Sequence, residues 1–419
     1  MKRFFCLILI LSVLLGLCAC GTGAETTAAP DPKPLRVAVV SDIHYTGAAY
    51  AYAGSFRAAN DLSGTGKQVE LLPFLFDAFV AQMLREKPDV LLLTGDNSFN
   101  GARVSHEELI EKLAPLRQAG IVLLTLPGNH DLGAPALIFP DGEAEQAGTV
   151  DAEDFAALYA DFGYDAACAR DGSSLSYVYD TGRGVRVFML DTCFRYGVVY
   201  GRLGEDTLSW LDAQLRACRE AGDTALVAGH HNALVHNPLF AFNYTLDDGE
   251  ELRALLEQYG VTLYLSGHLH PQNITREGAL TDVATESFAV WPHRYGIVEL
   301  CGTSWRYTAH GTDVESLAAE TKSSDERLLR YSDWGREWFL SAACAQAEGN
   351  FAGVEDADVR ALLCEHFAAA NVGYFAGTPI PAPEGELAAL IEGLSGRAGQ
   401  YLRSITGIPD SLAAEGDFG

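Results

Sequence analysis

The chain has 419 residues, 48% hydrophobic and 20% charged, which excludes a disordered chain, a collagen-like chain and a small disulfide scaffold, and leaves room for one to three domains. Lys and Arg number 29 against 56 Asp and Glu, a formal net charge of −27. A surface this acidic repels phosphate backbones, so no binding of nucleic-acid polymers is expected. A small anionic substrate would need local positive charge, which bound metal ions can supply.

Lys2 and Arg3 precede the apolar run Phe4–Leu17, which has signal-peptide length and is short for a membrane span. The sequence Leu17-Cys18-Ala19-Cys20-Gly21 that follows resembles the lipobox of bacterial lipoproteins. It predicts a signal peptide over residues 1–19, lipid on Cys20 and a chain anchored to the outer face of the cell membrane. Plain secretory cleavage near Ala19 is the alternative. Residues 20–34 have the composition of a flexible tether. Six further cysteines, Cys168, Cys193, Cys218, Cys301, Cys344 and Cys364, lack metal-site spacing and are read mainly as free buried thiols.

From Leu35 onward, apolar strand-like runs alternate with helical patterns. Leu35–Val40, Val90–Leu93 and Ile121–Leu126 are predicted strands, separated by a helix within 69–86 and another opened by a Ser105/Glu108 capping box. This β-α-β-α-β order requires parallel strands with crossover helices. Ser176–Tyr179 and Val185–Leu190 read as paired strands, followed by a helix carrying Leu208, Leu211 and Leu215. Ala225–Ala228 and Leu263–Leu265 are further strands, and more crowd into 273–308. The expected fold is α/β: two packed mixed sheets flanked by helices over residues 35–310, then a small all-α domain of three to five helices over 311–419. A second Ser/Glu capping box, Ser323 and Glu326, is expected inside that tail.

Five short motifs hold nearly all the chemically interesting side chains: Asp42-Ile43-His44, Gly95-Asp96-Asn97, Gly128-Asn129-His130-Asp131, Gly229-His230-His231 and Gly267-His268-Leu269-His270. Each lies at or just beyond the C-terminal end of a predicted strand, the edge at which α/β sheets bind ligands. Their nitrogen and oxygen donors suit borderline first-row cations, and there are too many for one ion. A pair of ions sharing one carboxylate would clamp both oxygens of an in-line phosphoryl displacement.

In order and spacing these motifs resemble the calcineurin-like metallophosphoesterases, over about residues 35–308. The resemblance implies two transition-metal ions (Mn, Fe or Zn). Asp42, His44 and His270 would hold one and Asn129, His230 and His268 the other, with Asp96 bridging. It implies that His130 assists the leaving oxygen and that Asp131 orients His130 through its other ring nitrogen. His231, His236 and Tyr45 are candidates for the substrate side, and Tyr45, Phe99, Trp291 and Tyr295 for stacking on a base. Asn97 stands where many relatives carry an apolar residue and is expected to affect the pocket edge.

The exported lipobox, the motif set and the appended helical tail together are similar to class III cyclic nucleotide phosphodiesterase-type lipoproteins of Gram-positive bacteria. That likeness implies hydrolysis of a small phosphodiester by a hydroxide held between the two ions. Two alternatives stay open: a phosphomonoesterase or nucleotidase with the same centre, and a surface-anchored binding lipoprotein with a vestigial site. No obligate protein partner is evident.

Overall fold

The computed structural model describes residues 33–63, 65–133, 136–193 and 197–419. The export segment, most of the tether and Cys20 lie outside these residues. Residues 34–419 form one compact unit. Among the described residues, no helix is long and apolar enough to cross a membrane.

The strands, in chain order, are β1 (Leu35–Val40), β2 (Val90–Thr94), β3 (Val122–Leu126), β4 (Leu137–Ile138), β5 (Glu145–Gln146), β6 (Ala169–Arg170), β7 (Tyr177–Asp180), β8 (Val185–Leu190), β9 (Thr224–Gly229), β10 (Leu263–Ser266), β11 (Asn273–Glu277), β12 (Leu280–Ala284), β13 (Tyr295–Cys301), β14 (Ser304–His310) and β15 (Ala413–Asp417). They build a six-stranded sheet ordered β15-β14-β13-β1-β2-β3 and a seven-stranded sheet ordered β11-β12-β10-β9-β8-β7-β6; β4 and β5 form a small separate ribbon. Both sheets are mixed. β1, β2 and β3 run parallel, as do β8, β9, β10 and β12, while the outer strands pair antiparallel.

The near-continuous apolar runs of the parallel strands reflect burial on both faces. One core joins Val37 and Leu91 of the first sheet to Val187, Leu226 and Leu265 of the second. It also takes in Phe76 and Phe79 of helix Leu72–Glu86 and Leu109, Leu113 and Leu116 of helix Arg103–Gln118. On the far face of the second sheet, Phe188 and Val227 pack under Leu211, Leu215, Leu252 and Leu256 of helices Glu205–Ala221 and Gly249–Gln258. The layers are therefore helices, sheet, sheet, helices. The parallel strands of both sheets end at one edge, which delivers all five motifs to it.

Local sequence grammar failed at two helix starts. Helix Arg103–Gln118 begins after Ala102 with no side-chain cap. Ser105 is buried inside it and donates to the Thr46 carbonyl, while Glu108 accepts from the Tyr45 hydroxyl and the Ala48 amide. Helix Glu326–Leu329 is capped by Asp325, not by Ser323.

The tail carries six helices, Val314–Glu320, Glu326–Leu329, Tyr331–Asn350, Ala357–Phe375, Gly385–Gly393 and Gly396–Ile405. The expected all-α tail of three to five helices needs two corrections, the first being this count of six. Its last segment, β15, pairs antiparallel with β14 and extends the first sheet. Leu328, Tyr331 and Trp334 pack into or against the main core, and Arg294 donates through Nε to the Ala376 carbonyl at 2.7 Å. All six cysteines beyond the export segment are free, with Cys193, Cys218 and Cys364 buried and Cys168 and Cys301 exposed.

Candidate metal centre

The donor atoms gather as two clusters that share one residue. Asp42, His44, Asp96 and His270 form the first and Asp96, His230 and His268 the second, with the donors of each cluster within 4.8 Å of one another. The Asp96 carboxylate stands between them. Its Oδ2 lies 3.8 Å from His44 Nε2 and 3.5 Å from His230 Nε2, while Oδ1 accepts from the His130 amide at 2.7 Å. Asn129 Oδ1 lies 3.2 Å from His230 Nε2, which adds it to the second cluster.

The backbone at these strand ends is unusual. Asp42, His44, Asp96, His268 and His270 all adopt left-handed conformations, with φ between 46° and 77°. Each costs on the order of 1 kcal/mol or more, a cost held in place by the surrounding structure. Two motif glycines are required by close approach. A Cβ on Gly128 would lie 2.2 Å from both Asp96 N and Asp96 Oδ1, and one on Gly267 would lie 1.9 Å from Ser41 Oγ and 2.4 Å from Asp42 Oδ2.

Hydrogen bonds fix which nitrogen each imidazole presents. His230 Nδ1–H donates to the Thr94 carbonyl at 2.9 Å, leaving Nε2 for the cluster. His268 Nε2–H donates to the Asn243 carbonyl at 3.1 Å, leaving Nδ1. Asp42 Oδ2 accepts from Ser41 Oγ and the His268 amide, whereas Asp42 Oδ1 is fully buried with no hydrogen-bond partner. That orphaned oxygen lies 3.4 Å from His270 Nε2, and His270 Nε2 lies 3.2 Å from His44 Nε2.

Electrostatics agree with a cation site. Burial opposes ionisation of Asp42 and Asp96, yet the surrounding histidines hold both carboxyls below the usual range. Burial keeps His44 well below its ordinary value and takes His268 down to about 3, so both rings are neutral donors. Burial also works against charging His230, but the Asp96 carboxylate overcomes it and lifts this ring to about 9. Two buried anions are costly unless positive charge arrives, and among the described residues neither is ion-paired with a lysine or arginine within 4 Å. Oxygen and imidazole donors, an orphaned carboxylate oxygen and facing ring nitrogens fit two transition-metal ions.

The remaining candidates divide. His130 is exposed at the crevice, edge-on to His44 with ring centroids 4.9 Å apart, and its Nδ1–H donates to the Phe99 carbonyl at 3.0 Å. Its Nε2 is left for a substrate. Asp131 does not orient that ring. It is buried and accepts from the amides of Asn97, Ser98 and Gly128 and from the side chains of Asn97 and Ser98, so it pins the loop and not the imidazole. This also assigns Asn97, which is fully buried behind the centre and far from a pocket-edge role.

His231 is likewise committed. Its Nδ1 accepts from Thr192 Oγ1 and its Nε2–H donates to the Val199 carbonyl. His236 meets Asn273 Oδ1 at 2.9 Å and stands 3.3 Å from Asp282, with its side chain buried. Tyr45 is buried against Phe76 and donates to Glu108. Tyr295 is buried and bonded to Gln82 and Glu86, and Trp291 packs against the core. His231, Tyr45 and Tyr295 thus have their polar atoms bonded within the protein, whereas His236 Nε2 has no hydrogen-bond partner and Trp291 is partly buried.

Two features escaped the sequence. Lys67, in the segment leading into helix Leu72–Glu86, places Nζ 6.0 Å from the Phe99 ring. Burial lowers its ammonium to about 8, while Asp96 and Asp42 favour its charge. Second, Tyr244 packs on the His268 ring with centroids 5.0 Å apart, at the edge of a cavity of about 420 Å³ that His270 also lines.

Comparison with known proteins agrees with this geometry. The family model for calcineurin-like phosphoesterase matches residues 35–272, more than half of the chain. A 3',5'-cyclic-nucleotide phosphodiesterase of Nostoc sp. is 27% identical over 241 residues, covering 57% of this chain and 73% of that protein. Human tartrate-resistant acid phosphatase type 5 is 37% identical over a shorter stretch of 105 residues, 22% of this chain and 30% of that protein. Among solved structures, a dimetal phosphatase from Danio rerio superposes with a TM-score of 0.48 at 13% identity, over 67% of this chain and 97% of that one. With its two-sheet sandwich and two ligand clusters meeting at Asp96, the chain belongs to the calcineurin-like phosphoesterase family.

Proposed function

We propose that the protein hydrolyses small phosphodiesters at a dinuclear centre held by Asp42, His44, Asp96, Asn129, His230, His268 and His270. The observation that carries this reading is the Asp96 carboxylate standing between two clusters, with the exposed His130 beside it. When bound, two ions such as Mn, Fe or Zn supply a hydroxide nucleophile near neutral pH and the positive charge that a phosphoryl group needs. The protein's own groups do the rest. The carboxylates of Asp42 and Asp96 are ionised and the rings of His44, His268 and His270 neutral, so little protonation change precedes loading except at His230. The Phe99 carbonyl holds the His130 Nδ1–H, which directs Nε2 to the substrate; a proton carried there reaches the leaving oxygen. Asp131 holds the turn that carries Asn129 and His130.

The relative from Nostoc sp. supports a diester, and a cyclic nucleotide is the leading candidate. The stretch shared with the human acid phosphatase supports the second reading, a phosphomonoesterase with the same centre. The test is turnover of bis-p-nitrophenyl phosphate against p-nitrophenyl phosphate with Mn²⁺, Fe²⁺ or Zn²⁺. Turnover of the monoester alone selects the second reading, and no turnover of either selects a binding protein. Export and anchoring through a lipid on Cys20 belong to the same proposal. Release of the Cys20→Ser protein from membranes, or its retention uncleaved, supports it; an unmodified mature N-terminus contradicts it.

A further inference from the structure

The cavity beside His270 is not made by the sandwich alone. The loop after β9 contributes Phe240 and Tyr244, and the turn after β10 contributes Leu269, His270 and Pro271. Its other side comes from the tail: Gln346 and Asn350 of helix Tyr331–Asn350, Asn371, Tyr374 and Phe375 of helix Ala357–Phe375, and Arg397, Ala398 and Tyr401 of helix Gly396–Ile405.

The tail is tied to this edge at several points. The Gln272 amide donates to the Phe375 carbonyl at 2.9 Å, two residues after His270. Gln272 Nε2 donates to the Ser411 carbonyl, and Asn237 Nδ2 donates to Ser404 Oγ. Tyr401 meets Phe240 edge-on with ring centroids 5.8 Å apart and donates to Asn371 Oδ1 at 2.6 Å. Aromatic faces thus line a space that opens onto the first metal cluster through His270, whose Nε2 reaches Asp42. Amide side chains share that wall. At the mouth stands Arg397, exposed and, among the described residues, without a carboxylate partner, in a chain of net charge −27.

On the strength of the phosphoesterase reading, we infer that this cavity is a tail-built subsite for a flat heteroaromatic group carried on the phosphoester. About 420 Å³ is pocket-sized for such a group. Tyrosine and phenylalanine faces stack on any planar ring, and Asn and Gln amides match the donor and acceptor edges of a heterocycle. Arg397 adds positive charge at the cavity, which favours an anionic ester in a chain of net charge −27. Tyr244, packed on His268, joins the ring subsite to the second cluster. The substrate would then span both halves of the chain, with phosphorus at the strand ends and the ring among the tail helices.

The test uses the full chain loaded with Mn²⁺ and two esters, thymidine 5'-(p-nitrophenyl phosphate) and methyl p-nitrophenyl phosphate, which share a leaving group and differ in the ring. Three variants are compared with the parent: Tyr401→Ala, Arg397→Glu and Ala398→Trp, the last filling the cavity. Arg397 is exposed, so that variant does not threaten folding. The ratio of kcat/KM for the nucleoside ester to that for the methyl ester should fall roughly tenfold or more in Tyr401→Ala and Ala398→Trp, while Arg397→Glu should lower kcat/KM for both anionic esters and leave the ratio nearly unchanged. An unchanged ratio in Tyr401→Ala and Ala398→Trp overturns the subsite. Calorimetric binding of thymidine 5'-monophosphate separates this from the catalytic reading. If the parent hydrolyses neither ester, the catalytic reading fails, and the subsite stands only if the parent binds the nucleotide and Ala398→Trp weakens it about tenfold. No binding by the parent, or equal binding by the variant, overturns it.

Discussion

Replacing Gly128 by alanine tests the centre through a single methyl group. The new Cβ would lie 2.2 Å from Asp96 N and Oδ1, where ordinary contact begins near 3.4 Å. Either the loop 128–131 or the Asp96 carboxylate must therefore retreat by about 1 Å, the scale of misplacement that costs roughly 100-fold in rate. Neither has an easy way out. Asp96 is bonded to the His130 amide through Oδ1, and the Gly128 amide is bonded to Asp131 Oδ2 at 2.8 Å. Overpacking costs about 1–3 kcal/mol, offset by about 0.4–1 kcal/mol from the stiffer unfolded chain. The net should lower Tm by only a few degrees. We expect a folded protein with reduced metal content and kcat/KM on bis-p-nitrophenyl phosphate down about 100-fold. Gly172→Ala, where an added Cβ meets nothing within 4 Å, is the control and should match the parent. Elemental analysis, steady-state kinetics and thermal melting measure the three quantities. A Gly128→Ala protein with two metals and activity within about threefold of the parent would refute the argument that Asp96 is held in place by the absence of that methyl.

Asp96→Asn removes the charge shared by the two clusters while keeping the acceptor for the His130 amide; it should fold, hold less metal by elemental analysis and lose turnover. Full activity in that variant would end the two-ion reading. Lys67→Met should raise KM for an anionic ester about tenfold with a smaller change in kcat, since the lysine adds positive charge beside the crevice; unchanged kinetics would assign Lys67 to packing on Phe99. Glu286 is buried with Oε1 unpartnered, and burial pushes its carboxyl well above the usual range despite Arg294. The folded chain holds that proton where the unfolded chain releases it, so Glu286 stabilises fully only below about pH 4.3 and progressively less as pH rises through its folded value. Glu286→Gln should therefore raise Tm at pH 8 and leave it nearly unchanged at pH 4; an equal shift at both would refute the assignment.

Strand positions and the gathering of the Asp and His side chains were legible because both follow from short-range pattern. Leu35–Val40 and Val185–Leu190 are strands to the residue, since runs of branched and aliphatic side chains bounded by polar turns have few other uses. The strand-end motifs were readable for the same reason: parallel strands leave their C-terminal ends at one edge. The two capping boxes misled because a Ser-x-x-Glu pattern is only an offer of hydrogen bonds. Tyr45 and Ala48, more than 50 residues away, claimed Glu108 first.

Tertiary structure alone decided the rest. Residues 413–417, Ala-Ala-Glu-Gly-Asp, carry no strand signal and become β15 only because β14 offers an edge. Asp131 looked like the partner of its neighbour His130, yet five donors from residues 97, 98 and 128 surround it. Asn97 looked like an oddity of the pocket and is one of those donors. The aromatic cavity draws on Phe240, Tyr244, Tyr374, Phe375 and Tyr401, which share no spacing and meet only when the tail docks beside His270. Which residues can bind a metal is a property of side-chain chemistry and strand order, both written locally. Which residues line one cavity depends on distant chain segments, Thr65 and Tyr401 among them, arriving at one place, and only the packed fold brings them there.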